Sequence, residues 1–223
     1  MKLAGKKVVV VGGSSGIGLA TAAMAKADGA EVIIAARTPE RLEAAAKSIG
    51  ASAIATDVTS DDSVNALFKA CGPVDHVVVT AAQLRTGPLK TVSMPAVRAS
   101  SAKVEIRAGG SLTLTTGFLS VRPRPAAAIV GAANGALESL ARSLALELAP
   151  VRVNAVSPGI VDTPIRAAMP EAQRLDMLAK VAAGLPAGRV GLADDIAQQI
   201  LSFMTNGFAT GSIVYIDGGA LIA

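Results

Sequence analysis

Lys7-Val8-Val9-Val10-Val11 runs directly into Gly12-Gly13-Ser14-Ser15-Gly16-Ile17-Gly18. The first five residues form a continuous β-branched run, as expected of a strand covered on both faces. After the glycines comes Leu19-Ala20-Thr21-Ala22-Ala23-Met24, a stretch rich in helix formers. A strand, a bend with little side chain and a helix, in that order, suit a diphosphate. Gly12 permits the tight turn, Gly16 lets backbone approach the phosphates, and Gly18 allows the helix to pack closely on the sheet. The helix start adds unpaired N–H groups and a partial positive charge. Ile17 lies within this bend, and the Ser14 and Ser15 hydroxyls can serve phosphate.

Outward from this point, apolar runs alternate with alanine-rich stretches. The remaining predicted strands are Glu31–Ala36, Ser52–Ala55, Asp75–Thr80, Ser111–Thr115, Arg152–Val156 and Ser212–Ile216. Helices are expected over Gly16–Asp28, Glu40–Ile49, Asp61–Cys71, part of 95–106, Ala126–Leu148 and Ala193–Thr205. Such alternation implies an α/β protein with a doubly wound, parallel, seven-stranded sheet of Rossmann type, forming one domain over 1–223. The stretch 163–191 is a long excursion before the last helix, and ligand lids are often built from such insertions.

Composition narrows the function. Of 223 residues, 51% are hydrophobic, enough to exclude a disordered chain. One cysteine (Cys71) and one histidine (His76) exclude a disulfide framework and a Cys- or His-rich metal site. No uncharged apolar stretch reaches the ~18 residues of a membrane span, and the N-terminus lacks a secretory h-region. A cytoplasmic protein without membrane association is expected. The net charge of +4 is spread along the chain and only five aromatics are present, which argues against nucleic-acid binding.

The end of the second strand selects the dinucleotide. A chain that binds NAD would carry an acidic residue there to accept from the ribose hydroxyls. Here the sequence reads Ala35-Ala36-Arg37-Thr38. A guanidinium without a carboxylate favours a 2′-phosphate, so NADP(H) is the expected cofactor. The Thr38 hydroxyl can contribute.

Together with Gly12, Gly16 and Gly18, three further segments resemble the short-chain dehydrogenase/reductase family nearly end to end. Asp57-Val58 resembles the family's pair beside the adenine. Thr80-Ala81-Ala82-Gln83 departs from the family's Asn-Asn-Ala-Gly after the fourth strand, and the position implies cofactor contact by Ala81 and Ala82. Arg152-Val153-Asn154-Ala155-Val156-Ser157-Pro158-Gly159 with Thr163 resembles the segment that borders the nicotinamide. Gly188-Arg189, Asp194-Asp195-Ile196-Ala197 and Asp217-Gly218-Gly219 resemble the C-terminal signature. The resemblance implies an oxidoreductase acting on a carbonyl or alcohol of a small-molecule substrate.

The catalytic part of the resemblance fails. The family's tyrosine acid falls at Val130, its lysine at Asn134 and its serine at Gly117, beside Thr115 and Thr116. The one tyrosine, Tyr215, lies on the last predicted strand, where packing is its expected role. Thr116 and Asn134 are therefore the expected site residues, Thr116 to orient a carbonyl and Asn134 to bond ribose hydroxyls. Ser120, Arg122 and Arg124 are further candidates near them. The crossover 84–110 leaves room for a helix of only about ten to fourteen residues, near the minimum for parallel strands. The family's helix there supplies much of a dimer interface, so any homo-oligomer is expected to be weakened at 95–106. The missing tyrosine and lysine leave a second class open: a non-catalytic dinucleotide-binding protein acting as a sensor or partner subunit. His76 and Cys71 are expected to be structural.

Overall fold

The computed structural model describes residues 1–81 and 104–223. Its strands are β1 (Lys7–Val11), β2 (Glu31–Ala36), β3 (Ser52–Ala55), β4 (Val74–Val79), β5 (Ile106–Thr115), β6 (Arg152–Pro158) and β7 (Ile213–Ile216). The helices among the described residues are α1 (Gly16–Ala27), α2 (Pro39–Ile49), α3 (Asp61–Cys71), α4 (Ala128–Glu147), α5 (Glu171–Ala183) and α6 (Ala193–Thr205). All strands pair in parallel in one seven-stranded sheet of order β3-β2-β1-β4-β5-β6-β7. This is the doubly wound architecture that the alternation implied.

Successive residues of a strand face opposite sides of the sheet, and the valine run of β1 is divided accordingly. Val8 and Val10 join Val32, Ile34 and Val78 beneath α1, α2 and α6, where Ala22, Leu42, Ile196 and Ile200 complete one core. Val9 and Val11 join Ile33, Val77, Leu112 and Val153 beneath α3 and α4, with Leu67, Phe68 and Ala141. In β1 the four valines are therefore buried on both faces of the sheet. Among the described residues no helix is long and apolar enough to cross a membrane.

Three elements depart from expectation. First, β5 begins at Ile106 rather than Ser111. Val74 pairs with Ile106 but His76 pairs with Ser111, so the ladder contains a bulge. Gly109 takes a φ of +79° there, and a β-carbon on Gly110 would lie 2.1 Å from the Asp75 carbonyl. Arg107 reaches back to pair with the Asp75 carboxylate at 2.9 Å. Polar residues and two glycines concealed this extension from a reading of apolar runs. Second, the excursion 163–191 contains α5, whose weak apolar face buries only Leu178. Third, α4 starts at Ala128 and not Ala126, because Ala126 has a φ of +60° just after Pro125. The helix expected within 95–106 lies mostly outside the described residues, and Ile106 itself is strand.

Candidate active site

Strand order reverses between β1 and β4, and such a switch point leaves a crevice beyond the strand ends. Gly12 follows β1 with a φ of +93°, and its N–H donates to the Ala35 carbonyl at 2.7 Å. Thr80 and Ala81 follow β4 on the other side, both N–H groups donating to the Val11 carbonyl at 2.8 and 3.1 Å. A β-carbon on Gly12 would meet Thr80 Oγ1 at 2.6 Å, and one on Gly18 would meet the Gly12 carbonyl at 2.2 Å. Glycine at these two positions is thus a packing requirement. The bend itself is open. Ser15 at the N-cap makes no side-chain cap bond, and no acidic residue occupies the first turn of α1. By contrast, α3 is capped by Ser60, which accepts from the Ser63 N–H, and opens with Asp61 and Asp62. The free N–H groups of α1 are left to an external anion. Ile17 packs its side chain against the core below, so only its backbone faces the bend.

At the end of β2, Arg37 and Thr38 are exposed, and the Thr38 hydroxyl caps nothing on α2. Among the described residues no carboxylate forms an ion pair with Arg37. Asp57 accepts from both the N–H (2.9 Å) and the hydroxyl (2.8 Å) of Thr59. These bonds hold its carboxyl below the usual range, with a smaller pull from the Arg37 charge. Arg37 and Asp57 therefore share one end of the crevice. Val58 is half-buried against the α3 core.

At the other end, Pro158 closes β6 and pairs with Ile216. Gly159 passes so close to Asp217 that a β-carbon there would lie 2.7 Å from its Cα. The Asp217 carboxylate in turn accepts from the N–H groups of Gly219 and Leu221, fixing the turn after β7. Thr163 returns to the bend: a β-carbon on Gly16 would sit 3.3 Å from that of Thr163. The structure thus brings Gly12, Gly16, Gly18, Ala81 and Thr163 around one crevice. Ala82 lies outside the described residues.

The sequence at the expected catalytic positions produces a different arrangement. Thr116 Oγ1 donates to the Asn134 carbonyl at 3.1 Å, which commits it to the helix backbone. Thr115 Oγ1 is buried without a partner among the described residues. Gly117 abuts Asn134, its notional β-carbon 2.9 Å from Nδ2. Asn134 is buried on α4, one turn beyond half-buried Val130. One further turn along lies Glu138, also buried. Ser120 donates to its Oε1 at 2.6 Å and Tyr215 to its Oε2 at 3.1 Å. Burial pushes the Tyr215 hydroxyl above its ordinary pKa, and the Glu138 charge adds to this. Sequence reading passed over Glu138, although the spacing 130, 134 and 138 places all three residues on one helix face. Tyr215, expected only to pack, is hydrogen-bonded to that carboxylate.

The other singled-out groups sit elsewhere. His76 is buried at the opposite end of the sheet, its Nδ1 2.9 Å from Ser111 Oγ, and burial lowers its pKa to about 4. The thiol of Cys71 is buried and its pKa pushed up by that burial. Arg122 donates to the carbonyl of Ala223, and the Arg124 guanidinium stacks 5.4 Å from the Phe118 ring centre.

Comparison with known proteins now bears on this geometry. The family model described as enoyl-(acyl carrier protein) reductase matches residues 11–220. A short-chain dehydrogenase/reductase from Stachybotrys chlorohalonatus is 33% identical over 252 residues, covering 98% of each chain. The chain belongs to the short-chain dehydrogenase/reductase family. The matched stretch is longer than this chain of 223 residues, so that family member carries residues with no counterpart here. Two solved members of the family are similar throughout. A small-chain dehydrogenase in complex with NADPH has a TM-score of 0.83 at 31% identity, with 98% of this chain and 99% of that one covered. A short chain oxidoreductase from Pseudomonas aeruginosa, NADPH-bound and described as containing an atypical catalytic center, has a TM-score of 0.88 at 30% identity, with 97% of both covered.

Proposed function

We propose that this family member is an NADP(H)-dependent oxidoreductase that interconverts a carbonyl and an alcohol on a small-molecule substrate. The observation that carries the reading is the uncapped, acid-free start of α1 at the β1/β4 crevice. Gly12, Gly16, Ile17 and Gly18 would offer backbone to the diphosphate, with Ser14 and Ser15 adding hydroxyls. Arg37 and Thr38 would take the 2′-phosphate, because the guanidinium offers charge-assisted donors there and no described carboxylate pairs with it. Asp57, Val58 and Ala81 would border the adenosine, and Ala82 follows in sequence. Pro158, Gly159 and Thr163 would wall the nicotinamide. Two relatives of comparable identity were solved with NADPH, which supports the same choice.

When bound, the cofactor supplies or accepts hydride, and the chain supplies position and a proton. The excursion 163–191 would cover the substrate. It is braced by Arg174, which pairs with Asp162 at 2.6 Å, and by Arg166, which donates to the Val161 carbonyl at 3.0 Å.

Calorimetric titration of the whole chain with NADPH and with NADH tests the binding half of the proposal. NADPH should bind more tightly; equal affinities would remove the role given to Arg37. Loss of NADPH absorbance against a panel of aldehydes and ketones tests the chemical half. Binding without turnover on any of them would favour a sensor or partner subunit.

A further inference from the structure

In the absence of the family's tyrosine and lysine, this chain needs another route for the proton, and the side chains around α4 offer one. Three hydroxyls follow the middle of β5. That of Thr115 is enclosed, and that of Thr116 is spent on the Asn134 carbonyl. Ser120 differs from both: it is half-exposed, and its Oγ donates at 2.6 Å to a carboxylate that is itself buried. A bond this short between a hydroxyl and a carboxylate oxygen is charge-assisted.

The local packing explains why Ser120 stands there. The turn Phe118–Ser120 runs along α4 over two glycines. A β-carbon on Gly131 would meet the Leu119 carbonyl at 2.8 Å, and one on Gly135 would lie 3.9 Å from Ser120 Cβ. Because Gly131 is bare, the turn descends to the level of Glu138. Tyr215 reaches Oε2 from β7, so the carboxylate receives one hydroxyl donor at each oxygen. Besides Glu138, the positive charge of Arg142 on α4 also acts on Tyr215, opposing the rise of its pKa.

We propose that Ser120 contacts the reacting oxygen of the substrate and that Glu138, behind it, holds the transferred proton. The inference rests on the oxidoreductase reading above. In the oxidising direction the alcohol O–H proton passes to Ser120 Oγ while the Ser120 proton moves to Glu138 Oε1. The carbinol C–H departs as hydride to an oxidised nicotinamide, leaving a C=O bond and a protonated Glu138. Reduction runs the same transfers backwards and ends with ionised Glu138. Tyr215 is a positioning residue: its bond to Oε2 fixes the rotamer that turns Oε1 of the carboxylate towards Ser120.

The test uses Glu138→Gln, Ser120→Ala and Tyr215→Phe in the full chain. Tyr215 is the only tyrosine and the chain has no tryptophan, so tyrosinate absorbance reports this one residue without any cofactor. Glu138→Gln should lower the Tyr215 pKa, since one of its causes of elevation is removed. In turnover, Glu138→Gln and Ser120→Ala should each lower kcat by about 10²–10⁴-fold, the usual worth of general acid–base catalysis, with NADPH affinity unchanged. Tyr215→Phe should lower kcat while KM and NADPH affinity hold, because only the rotamer of the carboxylate is released. Ser120→Ala alters a half-exposed turn and remains informative should Glu138→Gln not fold. Wild-type kcat in Ser120→Ala would overturn the relay while leaving the oxidoreductase reading intact. Failure of the unmutated chain to bind NADPH would instead overturn the reading beneath it, and the relay with it.

Discussion

Gly18→Ala places two rules in opposition, and the structure decides between them. Gly18 is helical, and alanine exceeds glycine in helix interiors by about 1 kcal/mol, so propensity alone favours the change. The new β-carbon, however, would lie 2.2 Å from the Gly12 carbonyl oxygen and 2.6 Å from Thr80 Oγ1. Relaxed carbon contacts are about 3.5–4.0 Å, so α1 must withdraw from β1 by on the order of an ångström. Overpacking costs about 1–3 kcal/mol, and here one obstacle is backbone and the other a hydroxyl bonded to the Val11 carbonyl. We expect a net loss of about 2 kcal/mol, a fall in Tm of about 4–8 °C for a chain of this size. Withdrawal also moves the N–H groups of the bend away from a diphosphate. Losing even one charge-assisted bond of about 1.5–3 kcal/mol weakens NADPH at least about tenfold. Gly135→Ala is the internal control: its β-carbon would stop 3.9 Å from Ser120 Cβ, an ordinary contact, so stability should hold or rise by up to about 1 kcal/mol. Melting by circular dichroism and calorimetric titration measure both variants. If Gly18→Ala melts with Gly135→Ala and binds NADPH like the parent, the packing argument for the bend is wrong.

Arg37→Ala should weaken NADPH by about ten- to a hundredfold and leave NADH unchanged, since only the 2′-phosphate loses its charge-assisted partner; parallel titrations with the two nucleotides measure this. His76 gives a pH signature: its pKa is about 4 folded against 6.5 unfolded, so the unfolded chain binds the proton first. Stability should be full above pH 6.5 and fall by about 3 kcal/mol as pH drops towards 4, a slope that denaturant melts across that range should show and that His76→Gln should flatten. Val130→Tyr combined with Asn134→Lys should raise carbonyl reduction if the crevice accepts the family's usual acid; an inactive double variant that still binds NADPH would count against a competent substrate pocket.

The pattern of apolar runs made the sheet legible because the central strands are covered on both faces, and β1, β2 and β3 begin and end where the sequence placed them. The bend was legible for a related reason: Gly12 and Gly18 have no room for a side chain, and a requirement that absolute leaves its mark in the letters. Where structure depends on polar contacts between distant residues, the sequence was mute. The early start of β5 relies on Arg107 meeting Asp75 and on two glycines, and none of these reads as strand. The excursion concealed α5 because only Leu178 of that helix is buried, too little for an apolar stripe. Thr116 looked available until its hydroxyl was found on the Asn134 carbonyl. Glu138 draws its partners from Ser120 and Tyr215, residues 18 and 77 positions away, a meeting that only the folded chain reveals.

Thr163 resting against Gly16 has a kinetic consequence. On the proposed function, the root of the substrate cover and the seat of the diphosphate would be the same few atoms, so a nucleotide on the bend would set where that cover begins its path. Product-inhibition kinetics should then show ordered addition, dinucleotide first and the molecule to be oxidised or reduced second, with the spent nucleotide departing last.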